Sequence, residues 1–172
     1  MTYDEARPWA KAIRDEVLER RMPPWGAVEG IRAYRNDPSL TPIEVDMIVS
    51  WVEGGAPEGD AIYLPPAPLL HNEAPAQTPT PTLVVEGAKP LVLNHAITAV
   101  AITPRDLPDG ASMEVTVFEL DGSVEHLIWL RNYRKPWTRT YWLRDPISLP
   151  AGTRMVLDAP AGGAAVVSIS PS

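Results

Sequence analysis

Two stretches of this chain carry residue types and spacings suited to chemistry. The first is Arg20-Arg21-Met22-Pro23-Pro24-Trp25. Each proline fixes φ near about −65° and restrains the residue before it, so the Met22 thioether sits on a stiff turn. From there it can be aimed at a soft partner, with Trp25 as its shield. Spacing alone favours plain packing, because methionine and tryptophan fill cores more often than they ligate. The second stretch is Trp129–Arg144, in which Arg131, Arg134, Lys135, Arg139 and Arg144 alternate with Trp129, Tyr133, Trp137, Tyr141 and Trp142, with no acid from 131 to 144. Arg131, Arg134, Lys135, Trp137, Arg139 and Tyr141 form a candidate surface for an anionic polymer, a glycan or a partner protein, through stacking and arginine contacts. A plainer alternative is a hairpin whose aromatics alternate between core and solvent while arginine stems cover the rim. Aromatic residues are ordinary in strands, which favours the hairpin.

The remaining candidates are weaker. His95 and His126 lack a third donor, and two histidines alone are ordinary sheet residues. Carboxylate pairs such as Asp15/Glu16 and Asp106/Asp109 are common on solvated surfaces, and nothing forces their pKa values apart. There is no GxSxG, P-loop or HExxH sequence. The absence of cysteine removes disulfides, thiolate metal sites, a cysteine nucleophile, CxxC redox chemistry and covalent haem attachment by this chain.

The 172 residues carry a formal charge of −7, unevenly spread. Residues 1–58 hold 7 basic and 11 acidic side chains, and residues 83–172 hold 8 and 9. An acidic first third argues against nucleic acid as a partner, since phosphate recognition needs clustered Lys and Arg. No apolar run approaches the roughly 20 residues of a membrane-spanning helix. The acidic start, Met1-Thr2-Tyr3-Asp4-Glu5, has no apolar region typical of a signal peptide. Either the protein is cytoplasmic or Met1 lies inside a longer natural chain.

The elements that must position these residues divide the chain in three. Thr2 and Glu5 form a capping box, and Ala6, Trp9 or Ala10, Ile13 and Val17 recur at helical spacing. Pro8 must bend this helix or begin a second one, and Pro23-Pro24 are expected to end it. Residues 26–39 read as an ordered loop. A second helix starts at Thr41-Pro42 with Glu44 completing its box, stops at Gly54-Gly55, and has Ile43 or Met47, Ile48, Trp51 and Val52 as its apolar face. Residues 59–82 are a proline-rich, extended linker in which Ile62, Tyr63, Leu64 and Leu69-Leu70 are the apolar points. From residue 83 the period becomes two, with candidate strands Leu83–Val85, Leu91–Leu93, Ile97–Thr103, Ser112–Leu120, Val124–Leu130, Thr138–Leu143, Arg154–Leu157 and Ala165–Ile169. Asp121-Gly122 signals a hairpin. Pro104, Pro108, Pro136, Pro146 and Pro150 are expected between strands. The fold class is thus α+β: a helical segment at 1–58, a linker at 59–82, and a jelly-roll-like antiparallel β-sandwich at 83–172.

Four motifs carry a resemblance: Thr2 to Ile13 (TYDEARPWAKAI), Arg21 to Trp25 (RMPPW), Asn36 to Thr41 (NDPSLT) and Ile48 to Asp60 (IVSWVEGGAPEGD). Together they resemble the c-type cytochrome domain of bacterial exported proteins, which is often fused to a β-sandwich of the copper type II, ascorbate-dependent monooxygenase kind. The resemblance implies that Met22 matches the axial methionine and Trp25 a wall of the haem pocket. The CxxCH motif and proximal histidine match nothing, and a lone thioether holds haem weakly. More loosely, residues 97–158 are similar to the monooxygenase-like sandwich. That family shows His-Met-His where this chain has Arg105-Asp106-Leu107, residues that make a poor copper site.

These readings lead to an expected non-enzymatic binding or scaffold module of an extracytoplasmic redox-type protein, without haem or copper in this chain. The alternative is a haem c electron-transfer protein whose CxxCH lies upstream of Met1. Expected partners are other redox or envelope proteins, and the resemblance implies a periplasmic or other extracytoplasmic setting. Without haem, Trp9, Ile13, Val17, Met22, Trp25, Met47 and Trp51 are expected to collapse on one another, dock on the sandwich, or form a homodimer through the exposed helical face.

Overall fold

The computed structural model describes residues 2–63, 82–87 and 89–170, so most of the expected linker, with Leu64, Leu69, Leu70 and His71, lies outside the described residues. The chain forms two compact units, and they are not divided where the sequence suggested. Residues 2–25 and 38–63 belong to the helical unit. Residues 26–37 belong with the sandwich, although they fall inside the segment expected to be helical.

In the helical unit, Thr2 accepts from the Glu5 amide and the Glu5 carboxylate accepts from the Thr2 amide, starting α1 (Tyr3–Ala6) with the expected capping box. Pro8 converts the next turn, Arg7–Trp9, to a tighter 3₁₀ form, after which α2 runs Ala10–Leu18. The helix stops at Leu18, five residues before Pro23, not at it. The Arg21 amide donates to Glu16 O at 2.9 Å and the Arg20 amide to Val17 O at 3.0 Å, closing a Schellman motif. Arg20 takes the left-handed position, φ +53°, usually given to glycine. Helix α3 (Pro42–Glu53) has the Thr41 cap, the Glu44 box and the Gly54-Gly55 stop that its sequence predicts. The Thr41 amide and hydroxyl hold the Glu44 carboxyl below the usual carboxylate range. The Tyr3 phenol donates to Ala56 O at 2.8 Å.

A strand forms in each of the eight expected regions: β1 (Thr82–Glu86), β2 (Leu91–Val92), β3 (Ile97–Arg105), β4 (Met113–Phe118), β5 (Val124–Leu130), β6 (Tyr141–Leu149), β7 (Arg154–Asp158) and β8 (Ala164–Ile169), with β6 starting three residues later than expected and running six residues past Leu143. They make two antiparallel sheets in the orders β1-β8-β3-β6 and β2-β7-β4-β5, the arrangement of a jelly roll. Gly122 at φ +89° makes the expected β4–β5 turn, with the Ser123 amide bonded to the Asp121 carboxylate. Two prolines depart from expectation by lying within strands. Pro104 is the last but one residue of β3, beyond that strand's last partner on β6 and opposite Ala165 of β8. Pro146 falls in edge strand β6 where Leu143 to Pro146 bulge opposite Val100, so its missing N–H breaks no ladder. The core contains Ile102, Val115, Leu127, Ile128, Leu130, Tyr141, Leu143 and Met155, all essentially inaccessible. Each such large side chain contributes about 1.5–3 kcal/mol by leaving water.

Most of the segment expected to be a loop, 26–39, is a strap: residues 26–37 run across the one side of the sandwich where edge strands β5 and β6 lie. Ala27 pairs with Leu130 of β5 and Tyr34 with Leu143 of β6. Around the first bridge, the Val28 amide donates to Trp129 O at 2.8 Å and the Arg131 amide to Gly26 O at 3.1 Å. Around the second, the Arg35 amide donates to Trp142 O at 2.8 Å and the Arg144 amide to Ala33 O at 3.0 Å. Side chains add to this. The Tyr34 phenol donates to Leu127 O, Arg32 pairs with Glu125 at 2.8 Å, and Asn36 bridges Thr140 O and the Trp142 amide. The strap thus occupies unpaired groups on both edges, which an open sandwich would leave as templates for aggregation.

Candidate functional site

The crossover from β5 to β6, residues 131–140, leaves one sheet and enters the other. The alternative of a hairpin over Trp129–Arg144 is therefore corrected, because β5 and β6 belong to different sheets. Its backbone is fixed at several points. The Tyr133 amide donates to Ala111 O at 2.9 Å and Tyr133 O accepts from the Gly110 amide at 2.7 Å. Asp109, expected on a solvated surface, accepts from the Lys135 amide at 2.7 Å. Pro136 lies in a 3₁₀ turn, Lys135–Trp137, closed by the Thr138 hydroxyl donating to Lys135 O at 2.7 Å. Tyr133 and Thr138 also share a short hydroxyl–hydroxyl bond.

This scaffold separates the six candidate surface residues. Arg131, Arg134 and Lys135 are exposed, while Trp137 and Arg139 are half-buried. The Arg131 guanidinium lies 3.9 Å from the centre of the Trp129 ring, and Arg35 of the strap lies 5.5 Å from that of Trp142. Tyr141 is not a surface residue. It is 1% exposed, packs edge-on against Tyr34 at 5.6 Å, and burial pushes its phenol up to about 12. Its phenol also takes a hydrogen bond from the Gly26 backbone, where a Cβ would come within 3.2 Å of the phenol oxygen.

Beside the crossover lies a cavity of about 640 Å³ that sequence reasoning missed. Its lining joins Pro104 to Pro108, after β3, with Tyr133, Lys135, Thr138 and Ala161. Leu107 and Pro104 are buried in its floor, whereas Arg105, Asp106 and Lys135 are exposed. Arg105 contacts Asp106 at 3.3 Å and Glu86 at 3.9 Å. Gly163 permits close approach of the following loop, since a Cβ there would meet Leu107 Cδ2 at 2.8 Å. Of its lining, Lys135 and Tyr133 stand out in sequence as part of the basic, aromatic run, and Arg105, Asp106 and Leu107 only through the resemblance. The cavity itself joins segments some 30 and 50 residues apart, which no local pattern reports.

The donor sets do not fit the two groups the resemblance implies. No three His, Asp or Glu side chains among the described residues are grouped to hold a metal ion, and Leu107 is buried without a donor atom. In the helical unit, Met22 is 50% exposed, joined to Pro23 by a cis bond, and Trp25 is half-buried. That unit has no cysteine, and no histidine among its described residues, to complete a haem c site. Of the apolar side chains expected to collapse, dock or meet a second protomer, Trp9 and Met47 are 64% and 66% exposed. Of the expected α3 face, Ile48, Trp51 and Val52 are half-buried, while Ile43 and Met47 face solvent. His126 lies opposite Thr116 in the β4–β5 ladder and reaches Glu114 diagonally at 2.5 Å. Asp15 and Glu16 pair separately with Arg14 and Arg21, the Arg21 hydrogen bonds drawing the Glu16 carboxyl below its usual range. No protein-family model matches the chain, nor does any curated protein, so the resemblance of residues 2–60 stands on its motifs alone.

Proposed function

We propose that this chain is a non-catalytic binding module whose sandwich recognises an acidic protein partner through Arg131, Arg134 and Lys135. The observation that carries the reading is the display of these cations. Arg131 is braced 3.9 Å over Trp129, and Arg134 and Lys135 follow on a crossover pinned by Ala111, Gly110 and Asp109. Cations held on a fixed backbone lose little conformational entropy on meeting carboxylates, and arginine adds planar, bidentate geometry. The hydroxyls nearby support binding over catalysis, since Tyr133 and Thr138 are bonded to each other and Thr138 to Lys135 O. The cytochrome-like motifs support a setting in an extracytoplasmic redox-type protein, with redox or envelope proteins as partners.

Titration of the full chain with poly-L-glutamate at low and at physiological ionic strength tests this. Binding is expected at low salt, weakening as screening grows. A double Arg131→Glu, Arg134→Glu variant is expected to lose about tenfold or more in affinity, because like charges now face each other. Equal binding by that variant, or none by the native chain at low salt, would contradict the reading.

A further inference from the structure

The cavity beside the crossover has a chemistry of its own. Its volume, about 640 Å³, is that of a small-molecule site. Its floor is apolar: Pro104 and Leu107 are buried there, with the Tyr133 ring alongside. Its rim carries two cations, Lys135 and Arg105, and one carboxylate, Asp106, which is turned to Arg105. Lys135 uses its backbone amide, not its ammonium, to hold Asp109, and among the described residues that ammonium faces no carboxylate within 4.0 Å. Arg105 stands in the same lining, only loosely engaged by Glu86 at 3.9 Å and by its neighbour Asp106. The two hydroxyls in the wall, on Tyr133 and Thr138, are occupied by one another. They shape the cavity and leave charge recognition to the two cations.

From this we infer that the cavity is a binding site for a small organic carboxylate: an apolar body on Leu107 and Tyr133, with its anionic head between Lys135 and Arg105. A neutral molecule of the same shape forgoes the charge-assisted bonds. A fully hydrophilic anion leaves the floor unfilled. This inference rests on reading this end of the sandwich as a binding surface, but it concerns the cavity and not the outward cations Arg131 and Arg134.

The test is a titration of the full chain with 3-phenylpropionate, followed by backbone amide shifts, with 3-phenylpropanol and acetate as controls. Saturable shifts confined to 104–108, 133–138 and 161 are expected, with the carboxylate about tenfold tighter than the alcohol and acetate weaker than either. Lys135→Gln, at an exposed position, is expected to weaken 3-phenylpropionate severalfold, and Ala161→Leu to block it by filling the mouth. Absence of saturation at those residues, or equal affinity for acid and alcohol, overturns the inference. The two failures are separable: Ala161→Leu leaves the poly-L-glutamate response intact, and Arg131→Glu with Arg134→Glu leaves the 3-phenylpropionate site intact.

Discussion

The sandwich buries more than a dozen large apolar side chains between its sheets, whereas the helical unit buries only Ala10, Val17 and Ala56 among its described residues. Trp9, Leu18, Ile43 and Met47 of that unit face solvent. Both regions obey their local rules. Capping boxes start the helices, Schellman motifs stop them, and the strands alternate as their period requires. The difference is one of enclosure. Two helices with a half-buried seam lack the area to offset chain entropy comfortably. The jelly roll has that area, and the strap from 26–37 pairs with two of its four edge strands, β5 and β6.

That contrast breaks most readily in the core. Leu143→Ala, at an inaccessible position that also pairs with Tyr34, is expected to cost about 2–5 kcal/mol in urea unfolding. Next in size is a pH effect. Burial raises both phenols at the strap, Tyr141 to about 12 and Tyr34 higher still. Each is neutral in the fold, so its contribution is complete below the unfolded pKa of about 10 and is lost as pH rises through the folded value. The sandwich should therefore weaken steadily from about pH 10 to 12. Unfolding followed against pH should show that slope, reduced in Tyr141→Phe.

Smaller changes sharpen the comparison. Tyr34→Phe removes the bond to Leu127 O and should cost about 1 kcal/mol, read in the sandwich transition. Thr41→Ala removes the α3 cap, also about 1 kcal/mol, but is expected to lower helical ellipticity while leaving the sandwich transition in place. Met47→Ala, on solvent-facing surface, should change stability by under about 0.5 kcal/mol. A larger loss there would mean that the α3 face is covered in solution.

The strands and helices were legible because their information is local. Period-two runs located seven strands closely and the start of β6, though not its continuation past Leu143 through Pro146, and Thr2, Thr41, Gly54 and Gly55 marked helix ends correctly. Helix α2 was read as reaching Pro23 because a left-handed arginine at position 20 carries no glycine signal. The strap escaped because each anchor is a single bridge to a partner more than 100 residues away, too short to show a period. At the candidate site, the basic run was visible, but burial of Tyr141 was not, since an aromatic among arginines reads alike on either face of a strand.

Hydrogen exchange at the amides of Val28, Arg35, Arg131 and Arg144 tests most directly the claim that 26–37 is part of the sandwich. These four donors make the two bridges to β5 and β6. The account predicts that they exchange as slowly as the amides of β4 and well behind those of α3, opening only with the whole sandwich. Exchange of Val28 and Arg35 at the rate of α3, while β4 stays protected, would assign the strap to the helical unit and contradict it.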